Sequence, residues 1–123
     1  MNKKILIIED DSFLSGLEAG KLQKEGFEVL TAANGADGLK IIETNPNMIA
    51  CILLDLMLPN VDGFAVLESV RAGTTEKPPI IVFSNLADDE SLAKATNLGA
   101  TAYMIKSNFT LDELVEKVRE VTK

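Results

Sequence analysis

The chain has 123 residues, enough for one domain with a sizeable core and too few for two, so residues 1–123 are read as a single domain. Hydrophobic residues make up 46% and charged residues 25%, which excludes a disordered or fibrous chain. The net charge of −7, from 12 basic and 19 acidic residues, excludes a direct grip on nucleic acid and suits a metal ion or a cationic partner.

The first apolar run, residues 5–8, follows Lys3 and Lys4 and is stopped by Glu9, Asp10 and Asp11. It is far too short for a signal peptide or a membrane span, so the cytoplasm is the expected compartment. Residues 12–25 have helical length but a patchy pattern. A mixed run at 27–31 predicts a second strand, and Leu39 and Ile42 mark a helix that the turn at Asn34-Gly35 opens. The apolar runs at 49–54, 80–83 and 102–105 predict strands buried on both faces. Helices are expected between them, on Phe64, Leu67 and Val70 and on Leu92, Ala95 and Leu98. The last helix is the clearest: Leu111, Leu114, Val115, Val118 and Val121 form one stripe, with Thr110 as N-cap and Asp112 and Glu113 in the first turn. Gly26 and Gly99 stand where a helix ends before the next strand. The only cysteine, Cys51, lies in the third apolar run, so it packs in the core, and a reducing compartment is the simpler reading.

A βα unit repeated about five times predicts an α/β fold, a doubly wound parallel sheet with helices on both faces. Such sheets bind ligands at the carboxyl ends of their strands. There the first strand offers Glu9-Asp10-Asp11 and the third offers Asp55. Carboxylates brought to one edge repel one another, so either some take up protons or a cation lies between them, and Mg2+ suits hard oxygen ligands. Taken alone, the acidic triplet reads equally well as a solvated loop in which Asp11 or Ser12 caps the next helix. Ser84 and Lys106 end the fourth and fifth runs, which aims a hydroxyl and an ammonium at the same edge.

The segments Ile5-Leu6-Ile7-Ile8-Glu9-Asp10-Asp11, Leu53-Leu54-Asp55-Leu56-Met57-Leu58-Pro59-Asn60-Val61-Asp62-Gly63, Phe83-Ser84-Asn85 and Tyr103-Met104-Ile105-Lys106 together resemble the receiver domains of two-component response regulators, over essentially the whole chain. The resemblance implies a flavodoxin-like sheet of order 2-1-3-4-5 with five helices, and phosphoryl acceptance on Asp55. It implies that Asp10 holds Mg2+ directly, Glu9 partly through water, and Asp55 and the Met57 backbone carbonyl complete the protein ligands. Lys106 would contact the phosphoryl oxygens, Ser84 would hydrogen-bond one of them, and Tyr103 matches the aromatic switch position. The chain contains no His, so a phosphohistidine must come from a histidine kinase or phosphotransfer protein.

The implied protein is a phosphoacceptor, with at most self-catalysed phosphorylation and dephosphorylation, rather than an enzyme. Its readout face would run from the fourth helix through the fifth strand and helix, about residues 88–122, toward a downstream protein or a second copy. Three departures from the family pattern stand out. Ser107 follows Lys106 where a cis proline is usual, and a cis bond before Ser would cost roughly 3 kcal/mol. Ser84 replaces the commoner Thr. Met57 sets an apolar side chain two residues past Asp55, where it is expected to impede the water that removes the phosphoryl group. The rivals are a pseudo-receiver that never takes a phosphoryl group, an aspartate-dependent phosphatase and a flavin-binding protein. Against the phosphatase, position 57 lacks the second Asp; against the flavin protein, Glu9-Asp10-Asp11 would repel its phosphate.

Overall fold

In a computed structural model, which describes residues 3–59, 62–73 and 77–123, the chain alternates strand and helix from end to end. Asn60 and Val61 of the second motif lie outside the described residues. The elements are β1 (Lys4–Ile8), α1 (Ser12–Lys24), β2 (Glu28–Ala32), α2 (Gly35–Thr44), β3 (Ile49–Leu54), α3 (Gly63–Gly73), β4 (Ile80–Ser84), α4 (Asp89–Asn97), β5 (Ala102–Ile105) and α5 (Leu111–Thr122), with a 3-10 turn at Lys106–Asn108.

The strands form one parallel sheet in the order β2-β1-β3-β4-β5. Because side chains alternate across a strand, each apolar run serves two cores. Leu6, Ile8, Ile52, Leu54, Ile80 and Val82 face α2, α3 and α4 through Leu39, Ile42, Val66, Leu67, Val70 and Ala95. Ile5, Ile7, Cys51, Leu53, Ile81 and Phe83 face α1 and α5 through Leu22, Leu114, Val115 and Val118. This two-sided burial is why the central strands read as unbroken apolar runs, and why edge strand β2 is mixed.

Helix ends follow local chemistry. Asp11, Asn34, Asp88 and Thr110 each accept a backbone N–H in the first turn of their helices, and Thr110 with Glu113 closes a capping box. Gly26 (φ 95°) and Gly99 (φ 101°) take the left-handed conformation just beyond α1 and α4, which a residue with Cβ adopts only with strain. Among the described residues no peptide bond is cis, so the link from Lys106 to Ser107 is trans and runs into the 3-10 turn.

α1 departs from the amphipathic pattern of the other helices. Its buried stripe is Ser15, Glu18 and Leu22, while Phe13 and Leu17 point outward and are 77% and 46% exposed. That inversion is the reason its periodicity is patchy in the sequence.

Candidate functional site: an acidic rim with one lysine

The direction in which strands are added to the sheet reverses between β1 and β3, because β1 pairs with β2 on one side and with β3 on the other. Ile8 stands level with both Ala32 and Leu54, so the next residues of β1 and β3, Glu9 and Asp55, leave the sheet side by side. Backbone bonds fix both: Glu9 N–H donates to Ala32 O at 3.0 Å and Asp55 N–H to Ile8 O at 3.0 Å. Carboxylate oxygens of Glu9, Asp10 and Asp55 come within 4.8 Å of one another. Glu9 and Asp55 are buried and Asp10 is exposed.

Asp55 is held on every side. Its Oδ1 accepts the Met57 N–H at 3.0 Å and the Ser84 hydroxyl at 2.7 Å, and its Oδ2 accepts Lys106 Nζ at 2.9 Å. Burial raises the pKa of its carboxyl, but these three donors outweigh it, and the net effect is a lowered pKa that keeps Asp55 anionic. Lys106 also pairs with Glu9 Oε1. Burial would lower the ammonium's pKa; the bonds to Glu9 and Asp55 raise it instead. For Glu9 the balance goes the other way. Burial, with some help from the Asp55 charge, overrides the Lys106 and Asp11 hydrogen bonds and pushes its pKa up to about 7.

The loop after Asp55 is shaped by Gly63. A Cβ there would lie 2.5 Å from Leu56 Cα and 2.7 Å from the Asp55 carbonyl oxygen, so α3 can begin this close to β3 only with glycine. The Met57 side chain is 57% exposed.

Hydrogen bonds then lead away from the rim. Ser84 Oγ donates to Asp55 and accepts the Leu86 N–H at 3.3 Å, while the half-buried Tyr103 hydroxyl donates to the Leu86 carbonyl. The Ser84 hydroxyl thus has an acceptor already, and a phosphoryl group would offer it a new one in exchange.

The structure brings together Glu9, Asp10, Asp55, Ser84 and Lys106, with the Met57 backbone alongside, and sets Tyr103 one residue's backbone away from Ser84. Asp11 turns instead to cap α1, its Oδ1 accepting Leu14 N–H at 3.1 Å. One residue escaped the reading by motif: Glu18, 2% exposed on the inner face of α1. The signal for it was present, since Glu18 falls in helical step with Ser15 and Leu22.

The donor set fits Mg2+: three carboxylates of hard oxygen converge, one exposed and two buried, and the Asp55 charge adds to the burial that lifts Glu9. A parallel 2-1-3-4-5 sheet with carboxylates ending β1 and β3 and a lysine ending β5 defines a doubly wound α/β domain with a charged rim at its topological switch point. The response regulator receiver domain family matches residues 5–119, and the chain belongs to that family.

Among its relatives, the transcriptional regulatory protein AfsQ1 of Streptomyces coelicolor is 38% identical over 107 residues, a match covering 86% of this chain and 45% of that protein. The alkaline phosphatase synthesis transcriptional regulatory protein PhoP of Bacillus subtilis is 34% identical over 126 residues, covering 100% and 50%. The chain spans about half the length of the curated relatives it matches. A CheY-like response regulator receiver domain protein from Methanospirillum hungatei superposes with a TM-score of 0.84 at 31% identity, covering 98% of this chain and 93% of that one. No helix among the described residues is long and apolar enough to cross a membrane.

Proposed function

We propose that residues 1–123 form one cytoplasmic receiver domain that accepts a phosphoryl group on Asp55 from the phosphohistidine of a histidine kinase or phosphotransfer protein. The observation that carries this reading is the convergence on one buried carboxylate of an ammonium, a hydroxyl and a backbone N–H, beside two further carboxylates. In the transfer a carboxylate oxygen of Asp55 forms the new P–O bond as the P–N bond to the donor imidazole breaks, leaving an acyl phosphate. Lys106 then faces the phosphoryl oxygens, and Ser84 donates to one of them. Glu9, Asp10, Asp55 and the Met57 carbonyl would hold Mg2+, which supplies positive charge against the carboxylates and the phosphoryl oxygens. Exposed Phe13 and Leu17, on the helix that starts at the rim, and Phe109, after the 3-10 turn, offer the donor protein apolar contact.

The product is a switch rather than an enzyme turnover. Once Ser84 changes acceptor, Leu86 and Tyr103 follow through their shared hydrogen bonds, and the surface of α4, β5 and α5 changes for a downstream protein or a second copy. The relatives named as transcriptional regulators are about twice as long, and within these residues the acidic balance leaves binding of nucleic acid to other segments or partners.

Acetyl phosphate with Mg2+, followed by mass spectrometry of the intact protein, tests the assignment. One phosphoryl mass is expected on the wild type and none on Asp55→Ala. Labelling that survives in Asp55→Ala would move the acceptor elsewhere, and a wild type that stays unlabelled and shows no NMR shifts near Asp55 with beryllofluoride would make the domain a pseudo-receiver.

A further inference from the structure

Glu18 is buried on the sheet-facing side of α1, and its Oε2 has no hydrogen-bond partner among the described residues. A carboxylate so buried, with one oxygen shut off from both solvent and any donor, holds a charge poorly, so the proton is favoured until the local potential changes. The charged groups that act on it most belong to the rim: Glu9, Asp55 and Asp11 favour the proton, and Lys106 opposes it. Burial and the first of these push its pKa up to about 8.

Among the described residues, the cations of α5, which packs on α1, are paired elsewhere; Lys117, for one, lies 3.3 Å from Glu120. On α5, Asp112 is spent on Lys21 of α1 at 2.5 Å, and Arg119 on Glu25 at 2.5 Å and on Glu116. On β2 the charged residue is Glu28, exposed and level with Lys4 at the opposite end of the sheet. The charge of Glu18 is therefore governed by the contents of the acidic rim.

We propose that Glu18 is a proton store coupled to the cation site: it keeps its proton while the rim holds only its own side chains, and releases it to solvent when a divalent cation enters. The proposal rests on the reading of Glu9, Asp10 and Asp55 as the cation site. Two positive charges within roughly 10 Å, in a medium of effective dielectric constant about 20, lower a carboxyl's titration midpoint by about two pH units. Reciprocity then makes cation affinity rise with pH through a residue that is no ligand. The full domain would thus fill its site more readily in alkaline than in acidic conditions, beyond the direct competition of protons at Glu9.

Carboxyl-carbon NMR of protein labelled with 13C-glutamate, titrated with pH in the absence and presence of saturating Mg2+, reads this directly. The Glu18 resonance is assigned by its absence in Glu18→Gln, or in Glu18→Leu should the amide variant fold poorly. The expected result is a Glu18 midpoint about two pH units lower with Mg2+, and in Glu18→Gln a smaller rise of Mg2+ affinity between neutral and alkaline pH. A Glu18 midpoint that stays put while the Glu9 resonance responds to Mg2+ overturns the proposal and leaves the cation site standing. If neither resonance responds, the cation reading fails and the proposal with it.

Discussion

Lys106 Nζ lies 2.9 Å from Asp55 Oδ2, joining residues 51 apart in sequence across the ends of β5 and β3. The same ammonium holds Glu9, so in this structure it does the charge balancing that a divalent cation would do. Replacing it by Met should act in opposite directions on two measurements. Without Mg2+ the variant loses roughly 2 kcal/mol of stability, because two buried carboxylates lose their counter-ion. Its Mg2+ affinity tightens by roughly tenfold, because a competing cation is gone. Urea melts and calorimetric Mg2+ titration check both; weaker Mg2+ binding in Lys106→Met would show that the ammonium assists the cation rather than substituting for it.

Tyr103 is linked to the rim through Leu86 and Ser84. Tyr103→Phe removes one donor to a backbone carbonyl and should cost about 1 kcal/mol of stability. Faster amide exchange is expected at Leu86, Ala87 and Asp88, with phosphorylation of Asp55 by acetyl phosphate unchanged. Unaltered exchange there would mean that the hydroxyl does not restrain the loop after β4.

How much of this was legible in the sequence follows from which residues are surrounded and which merely point. The runs 49–54 and 102–105 coincide with β3 and β5 as built: β3, buried on both faces, must be apolar until a polar residue ends it, and edge strand β5, half-buried but for Met104, still packs both ways. For the same reason Asp55 and Lys106 announced themselves as strand ends. β2 formed one residue later than the mixed run suggested, since Phe27 still bonds back to Leu22 O in the turn that ends α1. The burial of Glu18 left only the faint signal of its helical step with Ser15 and Leu22, and the Tyr103 bond to Leu86 left none. Both depend on the rotation of a helix or loop over the sheet, and α1 hides its orientation by turning Phe13 and Leu17 to solvent.

Stability should fall as pH rises from about 5 to about 8. Glu9 and Glu18 have pKa values raised from 4.5 to about 7 and about 8, so across that window the folded chain binds protons that the unfolded chain has released. The slope approaches 1.4 kcal/mol per pH unit for each group while it titrates. Asp55 has the opposite sign, and its stabilising contribution is lost only as acid takes the pH below the ordinary carboxylate range. Glu18→Leu, which replaces a buried carboxyl whose Oε2 lacks a partner by apolar volume, is expected to add roughly 2 kcal/mol at pH 8 and to flatten the profile. A Glu18→Leu profile parallel to that of the wild type would place Glu18 at an ordinary pKa.

Gly63→Ala tests the packing that carries Asp55. The new methyl carbon would meet backbone at 2.5 Å and 2.7 Å, and backbone cannot swing aside as a side-chain tip can. Either α3 moves off β3 or the loop from Asp55 to Leu56 shifts, and overpacking of this kind costs roughly 1–3 kcal/mol. Weaker Mg2+ binding should accompany the loss, because Asp55 and Met57 are displaced relative to Glu9. A variant destabilised with unchanged Mg2+ affinity would show that the strain is absorbed by α3 alone.

Met57 stands at the mouth of the rim, its backbone N–H turned to Asp55 and its side chain largely in solvent. A water that hydrolyses the acyl phosphate must approach in line with the bond to Asp55, and an apolar side chain beside that path neither orients it nor accepts its proton. Met57→Asn supplies an amide able to do the first, so the phosphorylated variant should lose its phosphoryl group several-fold faster in Mg2+ buffer. The fold should be unaffected, since an exposed side chain contributes little to the core. The decay of the phosphoryl mass after removal of acetyl phosphate gives the rate, and equal rates for Met57→Asn and wild type would show that this side chain does not limit access of water.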